Sequence, residues 1–491
     1  MHTFATFPLL SLLLLLFPLG AVFLLFVPQQ QARWVALAST VFSLVLSLLI
    51  VLLFDSNNSG FQLIERYSWI PSLNVHFSFG IDGISLLFLP LTSLLFSAVI
   101  LASWNRIHTL PRLYFALLLL LACATLGVFI ALDTIMFYFF WEMMLIPLYF
   151  LISLWGIGAD RRYAATKYTL FMLVGGLPLL FAFILLATSV TEEVYIFDYI
   201  QLLNNTKQNS NQTLIFFLLL LGFAVKMPLF PLHTWMPIVA SEGPISIIAL
   251  LAGLKLGVYG LLRFIIPLAP NAAQEFQWVL VGLGTLGIIY GAVAAINQTN
   301  IRRMLAFSSI SHVSLVVVGI ASLSLQGLQG AVYQLLNFTL ISSGLFLLTD
   351  FLHHRVGSTD RLSLGGVAKS MPILASFFFV LGLASIGIPG TSGFPAEMLL
   401  IMGALNISQG IGGVALLAVI LGAAYFMSTY RHAFLGIAKN TAISESFDLK
   451  KREIWIIFTF ILFIIFGGLY PQFVLGITGV TEETWLANIR N

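Results

Sequence analysis

Apolar runs of about 20 residues follow one another along almost the whole of this sequence, and that pattern leaves few ways to fold. A run of that length crosses the hydrocarbon core of a bilayer as a helix, because only a helix satisfies its own backbone there. Of the 491 residues, 59% are hydrophobic and only 8% are charged, against about 25% charged in an ordinary soluble domain. Such a chain cannot cover a water-facing surface, so an all-α integral membrane protein is expected. The formal charge of +3 does not suggest nucleic acid. The one cysteine, Cys123, excludes a disulfide within the chain and any cysteine-rich iron–sulfur or zinc site. The first run, residues 7–27, has no basic residue before it and no small-residue cleavage pattern, so it is expected to be a first span and not a cleaved signal peptide.

The runs centre near residues 17, 44, 94, 121, 144, 177, 223, 256, 284, 311, 338, 386, 421 and 464, which predicts about fourteen transmembrane helices. Lys and Arg provide a check, because they concentrate on one side of a membrane. Loops after odd-numbered spans hold 16 of them, the remaining loops and the C-terminal tail hold 4, and Lys226 and Lys255 lie inside spans. That asymmetry puts both termini on the outer side, periplasmic or intermembrane. The seventh span is interrupted by Pro228 and Pro231, and the twelfth by Gly387, Pro389, Gly390, Gly393 and Pro395. Breaks at membrane depth are tolerated only where the segment is buried in protein or lines a watery cavity. Two breaks five spans apart suggest two inverted five-helix repeats, each with a broken helix. The expected divisions are residues 1–112 for three N-terminal helices, 113–270 and 271–440 for the repeats, and 441–491 for the last helix and tail.

Four ionisable residues fall inside spans: Glu142, Lys226, Lys255 and Glu397. An unpaired charge at mid-membrane costs roughly 2.5–3.5 kcal/mol on the more lenient scale, so such residues usually pair, face water and function. Glu142 in the fifth span and Lys226 before the first break could pair. A lysine whose carboxylate neighbour can move is a switchable proton site, whereas a fixed pair would only hold helices together. Lys255 is flanked by small residues that permit close helix approach, as suits a central relay; Glu397, past the second break, would be a terminal relay or exit group. His233 and His312 are possible relay residues, and a hydrogen-bonded packing role suits them equally. His353 and His354 read as a solvated turn, and residues 444–453 as a solvated loop. No helix-spaced metal set, haem-ligating histidine pair or phosphate loop is present, so no electron carrier is expected on this chain.

These residues carry a resemblance. The segment Trp141-Glu142-Met143-Met144 with Pro147, then Lys226-Met227-Pro228 with His233, Lys255 with Gly260 and Arg263, and Ile388-Pro389-Gly390-Thr391 together resemble the antiporter-like subunits of respiratory complex I, the NADH:quinone oxidoreductase, of which subunit M and mitochondrial chain 4 are the most similar. The likeness covers about four-fifths of the chain. It implies a half-channel in each repeat and proton translocation driven by distant redox chemistry, with Glu142 as partner of Lys226, Lys255 as central relay and Glu397 as exit group. It implies no cofactor on this chain, with NADH, FMN, iron–sulfur clusters and quinone on partner subunits. The implied partners are other membrane-arm subunits, the lipid bilayer and protons, in a bacterial inner or a mitochondrial inner membrane. A cation/proton antiporter or an ion-coupled inorganic-carbon uptake subunit shares the fold and remains the alternative; a non-conducting scaffold is a third.

Two segments depart from the pattern. Ile238-Val239-Ala240-Ser241-Glu242 stands where relatives continue Asp-Ala-His, and Asn337-Phe338-Thr339-Leu340 stands where relatives place a histidine in the eleventh span. A phenylalanine cannot carry a proton. Either water around Asn337, Thr339 or Tyr333 then bridges Lys255 to Glu397, or this copy pumps poorly.

Overall fold

The computed structural model describes residues 7–189, 195–205 and 211–490. The chain opens with α1 (Leu9–Phe26) and α2 (Ala32–Leu53), followed by a hairpin of β1 (Gln62–Ile70) and β2 (Val75–Ile81). Next come α3 (Phe88–Ser103), α4 (Pro111–Ile130), α5 (Thr134–Met143), α6 (Leu145–Trp155) and α7 (Arg161–Thr188). After the short α8 (Tyr199–Asn205) run α9 (Gln212–Lys226), α10 (Trp235–Glu242), α11 (Ile245–Gly253) and α12 (Leu256–Gly260). A π-helical turn, Leu261–Ile265, leads to the short α13 (Ile266–Leu268) and α14 (Pro270–Glu275). The remainder comprises α15 (Gln277–Ile296), α16 (Ile301–Ala321), α17 (Leu325–Val356), α18 (Val367–Ser370), α19 (Pro372–Ser385) and α20 (Gly393–Ile407). Last are α21 (Gln409–Ala433), α22 (Thr441–Ser444), α23 (Lys451–Leu469) and α24 (Gln472–Arg490).

The protein is a multi-pass, helical membrane protein. Among the described residues, 11 helical segments are long and apolar enough to cross a bilayer, and α3, α9, α19 and α20 are shorter apolar helices. The segments differ in what surrounds them. The helices α4, α16, α17 and the segment from α11 to α13 are almost wholly enclosed, whereas α1, α2, α21 and α23 leave most of their residues on the perimeter. That perimeter is apolar: Phe26, Leu52, Ile146 and Ile420 are among its most exposed side chains. In water such a surface would aggregate; against lipid tails it is the ordinary exterior.

The hairpin is the element the apolar-run reading did not anticipate. Its strands pair antiparallel, with Glu65 opposite Phe79 and Ser68 opposite His76. It also works as a clamp. The Glu65 carboxylate accepts from the backbone N–H groups of Leu10 (2.7 Å) and Ser11 (2.9 Å) and from the Ser11 hydroxyl. These donors open α1 and have no partner within the helix. Asp133 does the same for α5, accepting from Ile135 and Met136 N–H groups, while its other oxygen accepts from His76 N–H at 3.1 Å. One hairpin thereby fixes the starts of two helices far apart in sequence.

Three expectations are corrected. His353 and His354 lie in the last turn of α17, not in a solvated turn, because the helix continues to a left-handed cap at Gly357. Glu453, assigned to a solvated loop, is buried: it accepts from Arg355 at 2.5 Å and lies 3.9 Å from Arg106, which also pairs with Asp350. Arg263, counted as a loop residue, is buried in the π-helical turn and pairs with Asp82 at 2.6 Å. The segment after α23 is helical as well, and α24 buries Trp485, Leu486 and Ile489.

Candidate functional site

The fifth span bends at Met144, where α5 gives way to α6. Pro147 is the cause, since a proline removes a helix hydrogen bond and collides with the carbonyl four residues earlier. Glu142 sits just before this bend, half-buried, with Oε1 enclosed and without a hydrogen-bond partner. Gly176 of α7 leaves room for that carboxylate, which a Cβ there would meet. Lys226 closes α9. Its Nζ donates to the Trp141 carbonyl at 3.2 Å, lies 3.6 Å from Met144 Sδ, and stands 3.8 Å above the centre of the Trp141 ring. Glu142 and Lys226 are therefore neighbours across the bend, but no ion pair joins them among the described residues. The lysine is solvated by a carbonyl, a thioether and an indole face instead.

Beyond Lys226 the chain is non-helical until α10. Trp235 Nε1 donates to the Val225 carbonyl at 2.8 Å, satisfying an acceptor that the break leaves free. His233 is buried in this segment, stacked on Phe230 and edge-on to Tyr290, with Nδ1 unpaired. It touches neither lysine in any hydrogen bond among the described residues. A cavity of about 30 Å³, bounded by Lys226, Tyr168, Thr125, Trp235, Leu254 and Leu256 among others, leads from Lys226 toward the Lys255 segment. That is room for a water molecule.

Lys255 stands at a third break. The helix α11 ends at Gly253, Leu254 and Lys255 leave helical geometry, and α12 restarts at Leu256. The chain can bend here because Gly257 packs directly on the backbone of Met227 and Phe223, where a Cβ would collide. Lys255 is 5% exposed, and its Nζ donates to Ser309 Oγ of α16 at 2.5 Å. Phe338 of α17 presents its ring 5.7 Å from the same ammonium. His312 lies edge-on to the same ring with a centroid separation of 6.4 Å. Phe338 thus neighbours both Lys255 and His312.

Around His312 the polar groups lie close together. His312 Nδ1 lies 3.7 Å from Glu397 Oε1, and Nε2 is 3.2 Å from the Tyr425 hydroxyl, which is 2.7 Å from Ser308 Oγ. Glu397 is buried in the first turns of α20, and Gly387, in the break with φ +70°, admits its carboxylate. A cavity of about 20 Å³ lies beside His312, Ser308, Gln334 and Asn337. Of the residues expected to bridge toward Glu397, Tyr333 donates to the Gly467 carbonyl at 2.7 Å and Asn337 to the Ser392 carbonyl at 2.8 Å. Thr339 reaches the Gly253 carbonyl. Asn337 and Thr339 thus brace the breaks at Ser392 and Gly253, and Tyr333 ties α17 to α23. The groups that line the track are Ser308, Ser309 and Tyr425, which apolar-span reading passed over. Ser308 was legible in part, since it lies four residues before His312 on the same helix face. The departing segment that ends at Glu242 has a structural role: the Glu242 carboxylate accepts from the Asp160 N–H at 2.9 Å at the start of α7.

Residues 131–422 match the family described as NADH:quinone oxidoreductase/Mrp antiporter, TM. The chain is 36% identical over 493 residues to NADH-quinone oxidoreductase subunit M of Rickettsia typhi, covering 98% of this chain and 99% of the relative. It is 34% identical to NADH-ubiquinone oxidoreductase chain 4 of Arabidopsis thaliana, with 94% of each covered. Among solved structures, a chain of respiratory complex I from Thermus thermophilus superposes with a TM-score of 0.88 at 30% identity, covering 98% of this chain and 99% of that one. A chain of the Mrp complex from Dietzia shares the fold at a TM-score of 0.84 and 21% identity. The chain belongs to the antiporter-like transmembrane family of NADH:quinone oxidoreductase and Mrp subunits.

Proposed function

We propose that this chain is a proton-translocating membrane-arm subunit of an NADH:quinone oxidoreductase, and that Glu142, Lys226, Lys255, His312 and Glu397 carry the proton in that order. The observation that supports the reading is the buried series itself, with Lys226 lining a water-sized cavity that Leu254 and Leu256 on either side of Lys255 also line, and His312 between Tyr425 and Glu397. Isolated charges at this depth are costly, and a series of them sharing polar neighbours is best accounted for by proton movement. Lys226 on the Trp141 face is poised to exchange that site for the nearby Glu142. NADH, FMN, iron–sulfur clusters and quinone belong to partner subunits in this reading. The identity and coverage shared with subunit M and chain 4 favour it over a free-standing antiporter.

The same reading takes the architecture as fourteen crossings. Eleven are the long segments; α3 is the twelfth, and the broken pairs α9/α10 and α19/α20 complete the set. Residues 113–270 and 271–440 then form two inverted repeats, each with its discontinuous helix, after the three N-terminal helices and before α23. Both termini face the periplasm or intermembrane space, in a bacterial inner or mitochondrial inner membrane. The decisive experiment is Lys226→Ala in the assembled complex, with NADH oxidation and proton pumping measured together. Loss of pumping is expected, and undiminished pumping with full NADH oxidation overturns the proposal. Phe338→His separates a conducting subunit from a scaffold: a gain in pumping is expected, and an unchanged rate favours the scaffold.

A further inference from the structure

The connection from α1 to α2 and the connection from α3 to α4 meet around a cavity of about 330 Å³ that the proton path does not use. Gln29 and Gln30 line it from the first connection, Asn105 and His108 from the second, and Arg33 from the first turn of α2. Its depth follows from the helices that start there. From Ala32 the helix α2 runs 22 residues, and from Pro111 α4 runs 20. Each is therefore about 30 Å long at 1.5 Å per residue. That length crosses the hydrocarbon core once, so the first turns of both helices stand at the headgroup layer. The lipid-facing perimeter reaches the rim of the cavity: Phe26, which ends α1, is 79% exposed and Trp34 is 59% exposed.

Positive charge without an acidic partner sets this cavity apart. Arg33 Nη1 donates to the Trp104 carbonyl at 3.2 Å and to Asn105 Oδ1 at 3.0 Å, and the guanidinium stands 5.0 Å from the centre of the Trp104 ring. These contacts hold the group in place and leave its charge uncompensated. Arg33 Nε is enclosed without a hydrogen-bond partner, and no carboxylate pairs with Arg33 among the described residues. Arg112 follows the lining residue Pro111 in the chain, and Arg452, in the first turn of α23, lies within electrostatic reach of Arg33. Each of these also has an enclosed Nε without a partner and no ion pair among the described residues. The acids of this region are already engaged, Asp350 with Arg106 and Glu453 with Arg355 and Arg106. Both connections belong to the set in which the sequence concentrates Lys and Arg. Basic pockets between spans on such a face recognise anionic headgroups, and the planar guanidinium matches the oxygens of a phosphate.

We propose that this cavity binds the phosphate of an anionic glycerophospholipid headgroup, with Arg33 as its principal charge and Gln29, Gln30 and His108 as further hydrogen-bonding groups. The acyl chains then lie along the apolar perimeter beside Phe26 and Trp34. One lipid in this position joins the α1–α2 connection to the α3–α4 connection from the membrane side. The inference stands apart from the proton-translocation reading, because its test reads labelling and not pumping.

The test uses the full chain in its native membrane assembly, reconstituted into phosphatidylcholine vesicles containing a little phosphatidylglycerol with a diazirine on its headgroup. Irradiation is expected to label residues 29–33 or 104–108, roughly 5-fold more than the same diazirine on a phosphatidylcholine headgroup, since the surplus positive charge favours the anionic lipid. Arg33→Gln should lower that labelling about tenfold, as loss of a hydrogen bond to a charged group would, and Arg33→Lys should recover part of it. If Arg33→Gln does not assemble, Gln29→Glu serves, because it places a carboxylate at an exposed lining position and should repel the headgroup. Equal labelling by the two headgroups, or labelling unchanged in Arg33→Gln and Gln29→Glu, overturns the proposal. Absence of labelling in the assembly also overturns it, because a neighbouring protein then covers the cavity. Radiolabelled inorganic phosphate that binds the wild type and not Arg33→Gln, without headgroup labelling, overturns it in favour of a free anion.

Discussion

The two broken helices hold their charges in different ways. At the first, Lys226 is surrounded by a carbonyl, a thioether and an indole ring, and Glu142 beside it keeps an enclosed oxygen without a partner. At the second, Glu397 meets an imidazole that is itself tied through Tyr425 to Ser308. The first arrangement is a pair held apart, with an alternative partner for the ammonium that releases nothing to water. The second is a chain of proton donors and acceptors within reach of one another. The same kind of break in sequence can thus hold its charge in two different surroundings, and the residues around the charge decide which. Between the two stands Lys255, bonded to Ser309 on one side and faced by Phe338 on another.

The largest expected effect separates the lysines from their surroundings. Lys255→Met and Lys226→Met should each lower proton pumping roughly a hundredfold, as removal of a positioned proton-transfer group does, when vesicle acidification is measured against electron input. A variant that retains full pumping removes that lysine from the path. Next comes the backbone of the second break. Gly387 has φ +70° and faces the Glu397 carboxylate, so Gly387→Ala should cost about 1–3 kcal/mol of stability, seen as a lowered melting temperature. No comparable glycine exists in the described part of the first break, and Ala224→Gly should not mirror the effect.

A third experiment compares the ring contacts directly. Trp141→Leu removes a ring 3.8 Å from an ammonium, and Phe338→Leu removes one 5.7 Å away. Cation–π contacts contribute about 0.5–2 kcal/mol and weaken with distance, so the Trp141 variant should be the less stable of the two; the reverse order would mean that Lys226 is not held by that face.

The smallest effect is a control outside both breaks. Glu482 of α24 lies beyond the spanning set, is 1% exposed, and burial lifts its carboxyl pKa to about 8. An unfolded glutamate titrates near ~4.3, so between there and about 8 the docked helix binds a proton that the undocked one does not. Docking of α24 should weaken as pH rises through that window and level off above it. Hydrogen exchange of α24 against pH checks this, and Glu482→Gln should flatten the profile; an equally steep profile in that variant would assign the pH dependence elsewhere.

Much of the fold was legible because a bilayer is a severe solvent. Twenty apolar residues in a row have one stable conformation there, and the prolines and glycines around residues 228–231 and 387–395 mark breaks without ambiguity. The break at Lys255 was not legible, since Leu254 and Lys255 carry no proline, and the bend comes from close packing of Gly257 on α9. The hairpin had a signal that span counting ignored: Val75, Phe77, Phe79 and Ile81 alternate with shorter or more polar residues. Its clamp on α1 through Glu65 could not be read, because the partners lie more than fifty residues apart.

The sequence by itself determined that the chain lives in a membrane, how its charges are spaced along it, and which family it resembles, because hydropathy and local motifs are written residue by residue. Only the tertiary structure decided what each charge meets: that Glu142 and Lys226 adjoin without bonding, that Arg263 and Glu453 are buried in ion pairs, and that Ser308 and Tyr425 bring His312 into a hydroxyl chain. In a medium without water to fall back on, a charged side chain needs its partner from a neighbouring element, and which element lies alongside is a property of the packed bundle.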